Sequence, residues 1–383
     1  MKPLPHDIMI LGVGMTPVGE HWDRSLRDLA LEAILEARRC APTLEPEALY
    51  VANMLAGSLS GQAHLAALIA DFAALQGVEA VTVEGAGASG GLAFRQALLA
   101  LASGQIDIAL VVGVEKCSER VTAELEAALA TSSDADYEAV HGLTNAAQAA
   151  LIMQRYLMEY DAPPDALAGF PVTAHANGAH NPFAMFQRAL APERYAKAGM
   201  ISAPLNMYDA APLGDGAAAL LLARSDAVAE EFTMPRVRVR ASAAATDTLA
   251  LHDRKEPLVF HAATRATTFA LQQAELTPAD IDFFELHDRF SIYAALSLEA
   301  GGFTPHGAGW KSTADGVLPF CTMGGSKARG DTGGATGLYQ LVEATLQLQG
   351  LAGGAQVKDA KIGMTQCLGG AATTAVTHIL ERI

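Results

Sequence analysis

One local pattern occurs twice in this chain, and it restricts the possible folds more than any other feature of the sequence. Ala33 to Cys40 reads as the end of a helix and leads through Leu44-Glu45-Pro46-Glu47 into the apolar run Ala48-Leu49-Tyr50-Val51. Ala263 to Ala274 leads in the same way through Leu276-Thr277-Pro278-Ala279-Asp280 into Ile281-Asp282-Phe283-Phe284. A second pair follows, because the helix after Gly90 has a counterpart running from Gly337 to Gly350. Helix, proline-initiated turn and buried strand in the same order twice predict a duplicated α/β unit.

The first copy is organised around a glycine-rich turn. A strand from Ala80 to Val83 breaks into Glu84-Gly85-Ala86-Gly87-Ala88-Ser89-Gly90-Gly91, and Leu92 to Leu101 then reads as a buried helix ended by Gly104. Strand, tight turn and helix N-terminus present backbone N–H groups and the positive end of a helix dipole, a geometry suited to a reacting atom or a developing oxyanion. Around it, Asp7 to Val13, Ala48 to Ala52 and Ile108 to Val114 read as strands. Ser25 and Asp28 form a capping box ahead of the apolar face Leu26, Leu29, Ala30, Ala33, Ile34 and Ala37, and a further helix is expected around His64 to Leu75. Such alternation predicts a mostly parallel sheet with helices on its faces. From Lys116 to about Thr233 the pattern changes to helix-like segments, such as Asn145 to Tyr160, and loops, with no strong strand before Ala217 to Leu222. Gly12-Val13-Gly14-Met15-Thr16-Pro17-Val18-Gly19 is not a dinucleotide fingerprint, since Pro17 and Val18 stand where the third glycine and a helix start belong.

Composition narrows the function classes. A hydrophobic fraction of 51% against 18% charged residues predicts a sizeable core. A net charge of −16 argues against nucleic acid as a partner. Cys40, Cys117, Cys321 and Cys367 are scattered without metal-ligand spacing, as expected of reduced thiols, so no metal is expected. The run from Ile8 to Val13, after Lys2, Pro3 and Pro5, is too short for a signal-peptide core, and no apolar window is long enough for a membrane span. A cytoplasmic protein is the expectation.

With these residues in view, the chain resembles the thiolase superfamily, in the branch of sterol-carrier-protein-type thiolases and their aldolase-like relatives. Four motifs carry the resemblance: the stretch from Val83 to Glu115 with Ala88-Ser89-Gly90-Gly91; Glu285-Leu286-His287-Asp288-Arg289-Phe290; Lys327-Ala328-Arg329-Gly330-Asp331-Thr332 before Gly334-Ala335-Thr336-Gly337; and Cys367-Leu368-Gly369-Gly370. The resemblance implies the thiolase fold: duplicated mixed-sheet halves in a layered αβαβα core, with halves at 1–117 and 235–383 and a loop domain at 118–234 inserted between them. It also implies a coenzyme A thioester as substrate, no bound cofactor, and a homodimer. The family's aldolases add a small OB-fold partner protein.

The same motifs assign roles, and two of them depart from the family. Gly87 stands where the family has its cysteine nucleophile. Asp331 stands where relatives carry the histidine that activates it. His287 is expected to hold the thioester oxygen. Cys367 is expected to exchange a proton with the substrate's α-carbon, and Ser89, His175, Asn177, His180 and Gly369 to contact substrate. An ionised Asp331 about 4 Å from a forming oxyanion would oppose it by roughly 4 kcal/mol at an effective dielectric near 20. Asp331 therefore suits a general base, or a neutral acid with a raised pKa. Three readings follow: C–C bond chemistry of the retro-aldol type without an acyl-enzyme, a non-catalytic acyl-CoA-binding subunit, and acyl transfer through Cys367.

Overall fold

The computed structural model describes residue 4 and residues 6–227 and 235–383. Lys2, Pro3 and Pro5 and the boundary at 234 lie outside the described residues. Nine strands hydrogen-bond side by side: β1 (Ile8–Met15), β2 (Ala48–Ala52), β3 (Glu79–Val83), β4 (Ile108–Glu115), β5 (Gly216–Arg224), β6 (Val237–Thr246), β7 (Phe283–Glu285), β8 (Ile362–Gly369) and β9 (Thr374–Arg382). Their order is β3-β2-β4-β5-β1-β6-β9-β8-β7.

That order contains one plan twice. β2 is parallel to β3 and β4, while β4/β5 and β5/β1 are antiparallel. In the second set β7 is parallel to β8, while β8/β9 and β9/β6 are antiparallel. The two sets touch edge to edge only where Met9 and Ile10 of β1 face Arg238 and Val237 of β6. β5 returns from the long middle segment to lie between β4 and β1.

Helices separate the layers. α1 (Leu26–Arg38) carries the predicted Ser25–Asp28 capping box and buries Leu29, Ala30, Ala33, Ile34 and Ala37 on one side of the first strand set. α2 (Ser89–Ala102) lies on the other side, where Phe94, Ala97, Leu98 and Leu101 pack on Ile10, Tyr50, Val111 and Leu220. β1, β2, β4 and β5 are thus apolar on both faces, as a sheet covered by helices requires, while β3 at the edge is largely exposed. In the middle segment come α3 (Asn145–Glu159) and α4 (Gly169–Gly178). α5 (His261–Ala274) covers the outer face of the second set, α6 (Ser291–Ala300) follows β7, and the short α7 (Gly325–Arg329) precedes α8 (Thr336–Gln349).

α8 shares the central layer with α2, and the two helices cross at glycines. A Cβ on Gly90 would stand 2.7 Å from Leu338 N, and one on Gly337 would stand 2.7 Å from Gly91 N, so backbone lies on backbone. Only glycine permits this approach. The layers that the resemblance implies are observed, in the order α1, first strand set, α2 with α8, second strand set, α5. The sheet, however, is mixed and not mostly parallel: only β2/β3, β2/β4 and β7/β8 run parallel, because the antiparallel returns β5, β1, β6 and β9 fill its centre. Among the described residues no helix is long and apolar enough to cross a membrane.

Candidate active site

A small cavity opens where β2, β3, β7 and β8 end, at the carboxyl ends of parallel strands, where α/β folds place their sites. Met54, Gly87, Ser132, Asn145, His287, Arg289, Tyr293, Leu368 and Gly370 line it. Its free space is ≈ 10 Å³, about one water molecule.

His287 follows β7 and is 2% exposed. The Leu368 N–H donates to its Nδ1 at 2.9 Å, so Nδ1 is the acceptor and Nε2 carries the proton. Nε2 is buried and has no partner. Burial drives the imidazole pKa down to about 4; Asp331 pulls it up, but Arg289 and Arg329 add to the depression. The ring is a neutral donor, on the cavity wall, whose N–H is buried and unpartnered.

Gly87 sits in the turn Ala86–Ala88 that joins β3 to α2. A Cβ there would stand 2.6 Å from the Leu368 carbonyl oxygen and 3.0 Å from His287 Cε1. The wall has closed to a distance that no side chain tolerates without displacement. The turn's own N–H groups are largely taken, with Gly85 N–H given to Ser89 Oγ at 2.9 Å and Ala86 N–H to Glu84 Oε1 at 2.6 Å. Fewer are therefore free than the sequence suggests.

Asp331 is buried, but it lies behind Arg289 and does not line the cavity. Its Oδ1 accepts from Gly333 N–H at 3.1 Å and from the Thr336 hydroxyl at 2.7 Å. Its Oδ2 stands 3.3 Å from Arg289 Nε, at ion-pair distance. Burial alone would raise this carboxyl, but Arg289, His287, Thr336 and Gly333 N–H together hold it below the usual carboxylate range. This environment favours the ionised carboxylate over the neutral acid, and it holds Asp331 off the cavity wall where a general base would act. The duplication supplies the reason. Asp331 serves the turn Gly333–Ala335 as Glu84 serves Ala86–Ala88, and Thr336 repeats Ser89.

Cys367 is turned elsewhere. Its Sγ packs among Ala88 and Val376 at the helix crossing, 2.4 Å from where a Gly91 Cβ would stand. Burial pushes its thiol up to about 12, and Cys367 is not among the residues that line the cavity, which is the setting of a packed core thiol and not of a nucleophile. Ser89 is internally bonded through Gly85 N–H and the Ala86 carbonyl. Gly369 serves close packing, since its Cβ would meet the Gly85 carbonyl oxygen at 2.4 Å.

The expected substrate contacts from the middle segment do not reach this cavity. His175 lies buried in α4, its ring stacked on Phe186 at 5.7 Å, and burial lowers its pKa. Asn177 donates to the Phe320 and Cys321 carbonyls and, with His180, lines a separate cavity of ≈ 620 Å³. The middle segment contributes Ser132 and Asn145 instead. Arg289 and Tyr293 also escaped the sequence reading. Its place directly after His287 and Asp288 in the Leu286-to-Phe290 motif was a usable signal for Arg289; Asn145, an ordinary residue at a helix start, offered none.

The match to known proteins agrees with this architecture. Residues 8–200 match the thiolase N-terminal domain and residues 243–382 the thiolase C-terminal domain-like family. An acetyl-CoA acetyltransferase of Methanothermobacter thermautotrophicus is 41% identical over 98% of this chain and 100% of its own length. The chain belongs to the thiolase family. Within that family, sterol carrier protein 2 of Bos taurus is 28% identical over 98% of this chain and 72% of its own length. A solved structure, the Ltp2-ChsH2(DUF35) aldolase, superposes with a TM-score of 0.83 at 24% identity, covering 99% of this chain and 98% of that one. This thiolase-family chain is thus similar in sequence to sterol carrier protein 2 and shares its fold with that solved aldolase. Among the described residues no group of three or more His, Cys, Asp or Glu is placed to hold a metal.

Proposed function

We propose that this thiolase-family protein acts on acyl-CoA thioesters at the bond next to the α-carbon, stabilising an enolate without forming an acyl-enzyme. One observation carries the reading: His287, on the cavity wall, is locked in the tautomer whose buried Nε2–H has no partner. A preorganised donor in a water-poor site is what a thioester oxygen needs when charge develops on it. Gly87, at the position of the family's nucleophile by our reading, has no group to attack with and no room for one.

Retro-aldol cleavage satisfies these limits. The Cα–Cβ bond of a β-hydroxyacyl thioester breaks and its electron pair becomes the enolate held by His287. The β-carbon leaves as an aldehyde or ketone, and a proton passes overall from the hydroxyl to Cα. Asp331 acts here as a positioning residue, fixing the Arg289 guanidinium at the wall. Admitting an acyl group requires a wall to move, and the unbranched Met54 is the side chain best able to do so.

The assembly is part of the proposal. β3 ends the sheet, with Val81 40% exposed, an unpaired edge that suits pairing with a second copy. The similar solved aldolase is described as a complex with ChsH2(DUF35), which supports a small partner protein here. The test is exchange of α-protons of acyl-CoA in deuterated water, with release of a carbonyl compound from β-hydroxyacyl-CoA, using the protein with whatever co-purifies. His287→Ala is expected to lower both rates roughly 10²–10³-fold. A wild-type protein that binds CoA thioesters yet shows neither reaction would leave a non-catalytic subunit in place of this reading.

A further inference from the structure

The polar atoms on the cavity wall do not all ask for the same thing. His287 Nε2–H needs an acceptor. Asn145 needs a donor. It is the first residue of α3, is 7% exposed, and lines the same cavity. Its Nδ2 faces the Leu129 carbonyl at 3.4 Å and Ser132 Oγ at 3.3 Å. Rotating the amide by half a turn would set oxygen against the Leu129 carbonyl, so this pattern fixes the orientation. Oδ1 is then left buried and without a partner.

A buried amide oxygen without a donor is costly, and native proteins rarely keep one that no ligand or water satisfies. The free space beside it is the size of one oxygen-bearing group. A thioester oxygen or a keto group can satisfy His287 but brings no proton for Asn145. A hydroxyl brings one.

We propose that Asn145 is a specificity-determining residue whose Oδ1 accepts a hydrogen bond from a hydroxyl on the acyl group, which selects hydroxyacyl over oxoacyl thioesters. This rests on the thioester-binding reading above and adds to it the residue that selects the hydroxyl. The Oδ1 accepts a hydrogen bond and takes no proton, so Asn145 positions the hydroxyl and is not the base.

The test compares binding of 3-hydroxybutyryl-CoA, acetoacetyl-CoA and butyryl-CoA by competition against a fluorescent CoA conjugate. The wild type is expected to prefer the hydroxy compound roughly ten-fold over each analogue, the worth of one buried neutral hydrogen bond. Asn145→Ala is expected to bring the three affinities to within about two-fold of each other. Asn145→Gln, which keeps both the donor and the acceptor of the amide, is expected to retain part of the preference, and a purely structural role would not produce that rescue. The ratio is read within each variant, so a general loss of stability does not imitate the result. Equal wild-type affinities, or a preference that survives Asn145→Ala, overturn the inference while α-proton exchange still tests the parent reading. Failure of all three thioesters to bind overturns both.

Discussion

Replacing Gly87 by alanine tests the closed wall most directly. The Gly87 backbone lies outside the left-handed region, so alanine is conformationally allowed. A less flexible unfolded chain would then favour the variant by about 0.4–1 kcal/mol. Against this stands the contact. The new Cβ would lie 2.6 Å from the Leu368 carbonyl oxygen, well inside any tolerated separation. That carbonyl cannot retreat freely, because Leu368 sits in β8 opposite Ala375 of β9 and its N–H holds His287. Overpacking of this kind costs about 1–3 kcal/mol, so a net loss of about 1–2 kcal/mol is expected. Urea unfolding followed by intrinsic fluorescence would show it as a lower midpoint at unchanged slope. Because β8 must shift, the His287 ring should also lose its Nδ1 bond and its Nε2–H signal by proton NMR. An alanine variant as stable as the wild type, with that signal unmoved, would refute the reasoning and show that residue 87 has room for a side chain.

Other consequences can be checked independently. His287 is held neutral with a pKa near 4, below its unfolded value near 6.5, so the unfolded chain takes up the proton first as pH falls. Stability should drop by about 3 kcal/mol between pH 6.5 and 4, a loss that His287→Gln should lessen. Glu115, pushed up to about 7 by burial despite its hydrogen bonds to Asn53, Met54, Leu55 and Gly334, works oppositely and should cost stability as pH rises from 4.5 through 7. Cys367 should resist iodoacetamide in the native protein and yield no acyl adduct by mass spectrometry, while the exposed Cys40 reacts as the internal control. Arg289→Leu should destabilise the fold by about 3–5 kcal/mol because Asp331 is left as an uncompensated buried charge; adding Asp331→Asn should recover part of that in a thermal melt.

The sequence carried the architecture because duplication and strand patterning are local or periodic signals. Ala48–Ala52 was read residue for residue, and Ile108–Glu115 was read to within one residue. His287 was legible because its motif surrounds it. Asp331 was located, but its place in the repeat was not seen: the resemblance assigned it a catalytic position, while its geometry repeats that of Glu84 in the first repeat. Aligning Glu84-Gly85-Ala86-Gly87-Ala88-Ser89-Gly90 with Asp331-Thr332-Gly333-Gly334-Ala335-Thr336-Gly337 would have exposed that equivalence. His175 lies on a helix that the glycines and proline of Gly169–Gly178 disguise as loop. Asn145 was not legible, because only the long-range packing of α3 brings it to the strand ends.

The glycine crossing between α2 and α8 makes the two repeats inseparable. Their common ancestor plan suggests modules that could be cut apart, yet each module's inner face is completed by the other's backbone at Gly90 and Gly337. Fragments produced by severing the connection near residue 234 should stay unstructured alone and regain order only when mixed.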